Sequence, residues 1–370
     1  MKIKSKSNLL ENFVFKRTKI NVRNRIVLAA MTNKQSHDNG IISDNEIRWL
    51  ALRAKGGFGI ITTAAAHVSI NGQGWEGELG VFDDIHIDRL QQLTNIIQSH
   101  GSIILAQLFH GGMRSPEIIT GEQPISASRI ICKESKSGFT RPASEEDISK
   151  IIQDFTDAAI RCAKSGFDGI ELHGAHGYLL SQFLGTKTNL RRDEWGGCIK
   201  NRFRILSKII RSIKNNVPEP FIIGVRISPE IKEIGIKLDD SIRLACLLRD
   251  EDIDYIHLSC WDVFANSKSH QQSKKTLTEW FIDSCDGIPP VISTGNIWSA
   301  SDAKKTMQQG AKFIGVARAG LAHPDWAKNI IDQNYNPKKP PYTASYLKNV
   351  GLGEDFIEYM RNWKGFVLDI

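Results

Sequence analysis

Cysteine is scarce in this chain and never paired. Its six cysteines, at 132, 162, 198, 246, 260 and 285, form no CxxC. That excludes a clustered zinc or iron–sulfur motif and, at 370 residues, argues against a secreted disulfide framework. No run approaches the roughly 18 apolar residues of a membrane span. The opening, MKIKSKSNLLENF, is basic but lacks the apolar region of a signal peptide. The expectation is a cytoplasmic protein with no membrane partner. Charge of one sign is also not concentrated anywhere. Lys plus Arg is 48 and Asp plus Glu 41, and the resulting +7 is spread over many short segments. No dedicated nucleic-acid surface is indicated, whereas a mildly basic pocket for a phosphorylated cofactor fits the same arithmetic. With 41% hydrophobic residues, 30 glycines and 12 prolines, the chain is neither disordered nor fibrous and can build a sizeable core.

What is present is a rhythm. Strand-like apolar runs near residues 26, 58, 102, 168, 222, 254, 290 and 313 alternate with helical patterns. The helices fall near 44–55, with Ser43 as N-cap, then 88–99, 145–165, 200–215, 240–249, 276–284 and 300–309. Residues 221–227 are continuously apolar up to Arg226, as a strand covered on both faces should be. Eight strands with a helix after nearly every one predict an α/β fold, a (β/α)8 TIM barrel. The competing doubly wound sheet calls for a glycine fingerprint after the first strand, and Ala29-Ala30-Met31-Thr32-Asn33-Lys34 supplies none. Phe13-Val14-Phe15 and Ile20-Asn21-Val22 flank a basic turn and predict a hairpin cap across the barrel bottom. Residues 111–144 lack periodicity and predict an extended βα loop of the lid or binding type. No linker, repeat or low-complexity segment divides the chain. One domain over 1–370 is expected, with the barrel core at about 24–335 and a tail at 336–370. Trp363, Phe366, Val367 and Leu368 in that tail pack on the barrel flank or, alternatively, make a homo-oligomer contact.

In such a barrel the chemistry lies where strands end and βα loops begin. Those ends carry Ala30-Met31-Thr32, Gln107 with His110 beyond, His173-Gly-Ala-His176-Gly-Tyr178, Arg226, Ser259-Cys260-Trp261, Thr294-Gly295-Asn296 and Ala317-Arg318. His173 and His176 can converge on one polar atom of a ligand. Zinc ligation by the pair lacks a third ligand in the motif, and a purely structural role is the remaining alternative. Tyr178 next to them has the character of a general acid, or of a packing residue. Arg226 ends an apolar strand and should face an anion or a structural carboxylate. Gly295 and Arg318 sit in consecutive loops where barrels commonly bind phosphate.

The stretch GFDGIELHGAHGYLLSQFL from Gly166 to Leu184, continued by Asn189, Arg191, Asp193, Gly196-Gly197 and Asn201-Arg202-Phe203, strongly resembles the Old Yellow Enzyme family of NAD(P)H:flavin oxidoreductases. The resemblance runs from about residue 12 to about 335 and includes Asn24-Arg25-Ile26-Val27 and Gln107-Leu108-Phe109-His110-Gly111-Gly112. It implies noncovalent FMN at the C-terminal mouth of the barrel, with NADH or NADPH as electron donor. By resemblance Ala30, Met31, Thr32 and Ala64 border the flavin ring, and Gln107 bonds its pyrimidine edge. Arg226 lies near N1 and the C2 carbonyl, and Gly295, Ala317 and Arg318 hold the phosphate. His173 and His176 resemble the pair that binds a substrate carbonyl, and Tyr178 the proton donor to the α-carbon. The implied activity is reduction of activated alkenes such as enones.

The family often has Phe-Leu-Ser-Pro after the tyrosine and Asp-x-Tyr-Gly-Gly-Ser beyond. This chain has Phe183-Leu184-Gly185-Thr186 and Asp193-Glu194-Trp195-Gly196-Gly197-Cys198. Lys34 stands where some bacterial members place a tyrosine. Residues 324–370 contain no cysteine, so the iron–sulfur extension of one relative group is not expected. The alternatives are a flavin reductase acting on quinones or nitro compounds, a non-catalytic flavin-binding module, and a metal-dependent barrel hydrolase. Intact His173, His176 and Tyr178 argue against the module, and a missing third ligand against the hydrolase.

Overall fold

The computed structural model describes residues 8–368, so the first seven residues of the basic opening and the last two of the tail lie outside it. Eight parallel strands form a ring: β1 (Ile26–Leu28), β2 (Ile60–His67), β3 (Ile103–Phe109), β4 (Gly169–Gly174), β5 (Ile222–Ile227), β6 (Tyr255–Ser259), β7 (Val291–Thr294) and β8 (Phe313–Val316). Each pairs with its successor, and β8 returns to β1 with Ile314 opposite Ile26 and Val316 opposite Leu28. The ring closes, which makes this a (β/α)8 barrel and not an open sheet. A short extra strand, Leu79–Gly80, runs parallel to the end of β2.

Seven helices follow the first seven strands: α1 (Asp44–Lys55), α2 (Ile87–Ser99), α3 (Glu145–Lys164), α4 (Ile199–Asn216), α5 (Leu238–Asp250), α6 (Leu277–Ser284) and α7 (Ala300–Gln308). Their boundaries follow from local chemistry. Ser144 caps α3, its hydroxyl accepting from the N–H of Asp147 while the Asp147 carboxylate accepts from the N–H of Ser144. Glu145, Glu146 and Asp147 crowd its positive end, and Arg161 and Lys164 its negative end. Ile148, Ile151, Phe155, Ala159 and Cys162 form its buried stripe. Ser43 caps α1 as the sequence predicts, accepting from the N–H of Glu46 at 3.2 Å.

Some stretches depart from the sequence reading. β2 runs past its expected end at residue 63 to His67, with its pairing to β3 shifting register between Thr62 and Ala65. Small residues continue the strand without an apolar signal, and the irregularity breaks the alternation that would have revealed it. The loop 111–144 has structure of its own: a short helix, Glu117–Thr120, and a parallel pairing of Ile125–Ser126 with Arg141–Pro142.

The barrel bottom is closed by the expected hairpin, with Phe13 opposite Val22 and Val14 opposite Asn21. Phe15 and Val22 are fully buried against Val27, Ile60, Ile222, Tyr255, Ile292 and Phe313. Phe15 stacks on Phe313 at 5.7 Å, and Phe13 meets the same ring edge-on at 4.8 Å. Burying one such side chain stabilises by about 1.5–3 kcal/mol. The lower barrel is therefore closed by a packed apolar plug. In the tail, Tyr342–Thr343 pairs with Val367–Leu368. Phe366 and Val367 pack on the core, as flank packing requires, whereas Trp363 and Leu368 face solvent. The tail is also tied to α1. The fully buried Arg53 donates to the carbonyls of Trp49, Gly320, Leu321 and Val350, joining the helix after β8 to the C-terminal segment.

Candidate active site

At the upper ends of the strands the inward positions turn polar. His173 ends β4 with its ring buried, and its Nδ1 accepts the N–H of Ala175 at 3.3 Å. That bond leaves the ring proton on Nε2, free to be donated. The chain then reverses through His176 and Gly177, whose φ angles of 60° and 77° are both left-handed. The reversal sets the His176 ring 5.0 Å from that of His173, edge to face. It also sets Tyr178 5.0 Å from His173 and 6.4 Å from His176. The structure thus gathers the three candidate catalytic side chains into one cluster. His176 Nε2 lies 2.7 Å from the Ser259 hydroxyl at the end of β6.

The electrostatics keep both imidazoles neutral. Burial pushes His173 well below the usual histidine range, any proton taken up by His176 would push the same way, and so does the Arg226 charge. His176 remains open to solvent at the rim, but the walls that crowd it and then Arg226 lower it likewise. Burial raises the Tyr178 phenol, and Arg114 opposes that rise. The Arg114 guanidinium lies 4.6 Å above the Tyr178 ring and is anchored by donation to the His176 carbonyl at 3.0 Å. Phe109 meets the same ring edge-on at 4.5 Å, and Trp75 approaches to 6.4 Å.

The candidate cofactor residues occupy the same mouth. Arg226 is 5% exposed and donates to the Ala30 carbonyl at 3.0 Å and to the Ser259 hydroxyl at 3.1 Å. Its buried Nε–H has no hydrogen-bond partner. Ala30 and Ala64 are buried, and Met31 and Thr32 half-buried. Gln107 donates through Nε2 to Glu171 at 2.7 Å. Gly295 has a φ of 148°, and a Cβ there would fall 2.1 Å from the Cys260 carbonyl, so the β7 loop passes too close to β6 for any side chain. Ala317 opens the short helix Arg318–Ala322 after β8. Arg318 is exposed, and among the described residues no carboxylate pairs with it. A free cation beside a tight glycine loop, and a buried guanidinium with an unused donor, suit an anionic, planar cofactor with a phosphate tail. FMN fits this set.

Several groups escaped the sequence reading. Glu171, Tyr255 and His257 form a buried polar network directly below the mouth, joined to the strand-end Thr294. Period-two alternation is the signal that could have found them, since Glu171 precedes His173 by two residues and His257 precedes Ser259 by two. Arg114 came from a loop without periodicity. Glu78 is buried in the β2 loop, where it accepts the N–H of Gly74 at 2.6 Å, and burial raises it well above the usual carboxyl range. Among the described residues no three His, Cys, Asp or Glu side chains are grouped as metal ligands. At the opposite end of the barrel, an open cavity beside Arg17 and Lys214 has its cations already engaged. Arg17 pairs with Glu219 and Asp254, and Lys214 donates to two backbone carbonyls.

Comparison with known proteins agrees with this geometry. Residues 9–336 match the model of the NADH:flavin oxidoreductase / NADH oxidase family. The chain is 32% identical over 364 residues to the probable NADH-dependent flavin oxidoreductase YqiG of Bacillus subtilis, covering 97% of each. It is 32% identical over 318 residues to an NADPH dehydrogenase of Bacillus licheniformis, covering 85% of this chain and 91% of that one. Among solved structures, the old yellow enzyme homologue from Zymomonas mobilis superposes with a TM-score of 0.79 at 23% identity, covering 92% of this chain and 96% of that one.

Proposed function

The chain belongs to the NADH:flavin oxidoreductase / NADH oxidase family and is an NAD(P)H-dependent flavin oxidoreductase with FMN as cofactor; on that premise we propose that its oxidative half-reaction reduces activated alkenes, enones in particular, with Tyr178 as proton donor. The observation that carries this reading is the convergence of His173, His176 and Tyr178 within 5.0–6.4 Å of one another. FMN, when bound, supplies hydride acceptance from the nicotinamide and hydride delivery to the alkene β-carbon. Ala30, Met31, Thr32, Ala64, Gln107 and Arg226 are the residues that would hold its ring, and Gly295, Ala317 and Arg318 its phosphate.

The protein's own contribution is then polarisation and proton delivery. His173, neutral and with its proton on Nε2, donates to the substrate carbonyl. His176 adds a second donor from the rim. Two donors on that oxygen stabilise the enolate-like charge that develops there, as an oxyanion hole does. Tyr178 gives its proton to the α-carbon. Burial keeps the phenol protonated until it is needed, and Arg114 above the ring stabilises the phenolate left behind.

A second reading, with quinones or nitro compounds as acceptors, uses the same histidine pair, because a nitro oxygen accepts the same bonds. Cytoplasmic location and a small-molecule substrate complete the proposal. An anaerobic steady-state screen of the FMN-loaded protein with NADH and NADPH against cyclic enones, nitroalkenes, quinones and nitroaromatics is the test. Turnover of quinones or nitroaromatics with none of the enones would overturn the alkene reading.

A further inference from the structure

We propose that Glu171, a residue outside the substrate pocket, is a positioning residue that fixes which end of the Gln107 amide is offered to the cofactor and balances the charge of Arg226 beneath it. This inference rests on FMN binding and not on which acceptor is reduced.

Glu171 lies inside the barrel on β4 with no exposure to solvent. Three donors from two other strands converge on its carboxylate. Gln107 Nε2 reaches one oxygen at 2.7 Å. Tyr255 Oη and His257 Nδ1 reach the other at 3.1 and 2.7 Å. His257 is held in turn from its far side, where Nε2 lies 2.6 Å from the hydroxyl of Thr294, next to Gly295. Room for the Tyr255 ring is left by Gly224, where a Cβ would fall 2.0 Å from it.

The polarity of this network is forced. Burial by itself would raise the Glu171 carboxyl, but His257 and Arg226 and the bonds from His257 and Gln107 outweigh it, and its pKa falls below the ordinary value. Burial lowers His257. The carboxylate is therefore ionised, and His257 faces it with Nδ1–H donating to Glu171. An ionised carboxylate only accepts. Gln107 must therefore turn its NH2 toward Glu171, since the flipped amide would set oxygen against oxygen. Its Oε1 accepts no hydrogen bond within the described residues and is left for a donor in the mouth. The edge of an oxidised isoalloxazine pyrimidine carries one N–H, at N3, between two carbonyls. An amide oxygen held for it selects that ring and that edge. The same carboxylate supplies a negative charge near Arg226, which tempers how strongly the guanidinium favours anionic reduced flavin.

The experiment compares FMN with 3-methyl-FMN, which cannot donate from N3, by fluorescence titration of the apoprotein, and measures the flavin midpoint potential of the reloaded enzyme. Wild type should prefer FMN. Glu171→Gln keeps the volume but lets the new amide donate, so Gln107 can flip. Its preference for FMN over 3-methyl-FMN should fall about tenfold, the scale of one lost hydrogen bond. Its reduced-to-oxidised affinity ratio should rise about tenfold, a positive shift of about 30 mV for a two-electron couple. Glu171→Asp retains the charge but loses reach, so ligand preference should fall while the potential stays. If Glu171→Gln fails to fold, Glu171→Asp still carries the orientation test. Unchanged ligand preference in either soluble variant, or equal weakening of both flavins, overturns the proposal and leaves Glu171 as packing.

Discussion

Replacing Tyr178 by Phe separates role from structure, because its ring contacts are with Phe109 at 4.5 Å, His173 at 5.0 Å and the Arg114 guanidinium at 4.6 Å, and all survive. The hydroxyl bonds no described protein group, so no partner is stranded by its loss. Stability should change by no more than about 0.5 kcal/mol. The rate consequence is larger. A general acid typically contributes about 10²–10⁴-fold, or about 2.7–5.5 kcal/mol of barrier. Arg114 sets the comparison. At an effective dielectric of about 20, a unit charge about 5–7 Å from the phenolate oxygen is worth about 2–3 kcal/mol. Arg114 is exposed, so screening reduces that further. The proton outweighs the field: Arg114→Met should cost about tenfold, Tyr178→Phe about a hundredfold or more. Stopped-flow absorbance of the flavin resolves the two half-reactions. With a weakly activated cyclic enone, reoxidation should slow in Tyr178→Phe while reduction by NAD(P)H stays nearly normal and quinone turnover survives. Equal slowing of both halves would indicate a disturbed pocket, and an unchanged enone rate would remove Tyr178 from the mechanism.

Arg318→Ala should leave the melting temperature of the apoprotein unchanged, because the side chain is exposed and unpaired, yet weaken FMN binding by about 1.5–3 kcal/mol if it meets the phosphate; fluorescence titration reads this, and unaltered FMN affinity would refute the assignment. His173→Ala and His176→Ala should each weaken binding of phenolic or enone ligands and slow flavin reoxidation; stoichiometric zinc lost on either change would instead favour metal ligation. Acid should destabilise the fold in a defined window. Burial lowers His67 to about 4 and His110 to about 3, against about 6.5 unfolded. Above pH 6.5 neither state binds these protons. As pH falls, the unfolded chain takes them up first, so stability drops from about pH 6.5 until each folded pKa is reached. At about 1.4 kcal/mol per unit, His67 alone removes about 3 kcal/mol by pH 4. Denaturant midpoints between pH 7 and 4 test this, and a His67→Gln variant should show a shallower decline; an identical slope would refute the assignment to His67.

Much of this protein is written locally. Strand–helix alternation, the Ser43 and Ser144 caps and the aromatic hairpin are encoded in short windows, where periodicity and capping chemistry act within a few residues, so eight strands and a barrel could be read directly. The candidate trio was legible for the same reason: His173, His176 and Tyr178 lie in one six-residue stretch at a strand end. Other features exist only once the ring closes. Glu171 lies 64 residues from Gln107 and 86 from His257 along the chain, and although alternation puts Glu171 and His257 on the same strand faces as His173 and Ser259, nothing local shows that the three side chains meet. Burial is a property of the closed barrel, and burial is what turns these groups from solvated side chains into a directional network. Arg114 likewise acquires its place above Tyr178 from a loop that has no period to read. Sequence determined the elements and the mouth residues they carry; tertiary structure decided which polar groups were stripped of water, and therefore which way each of their hydrogen bonds must point.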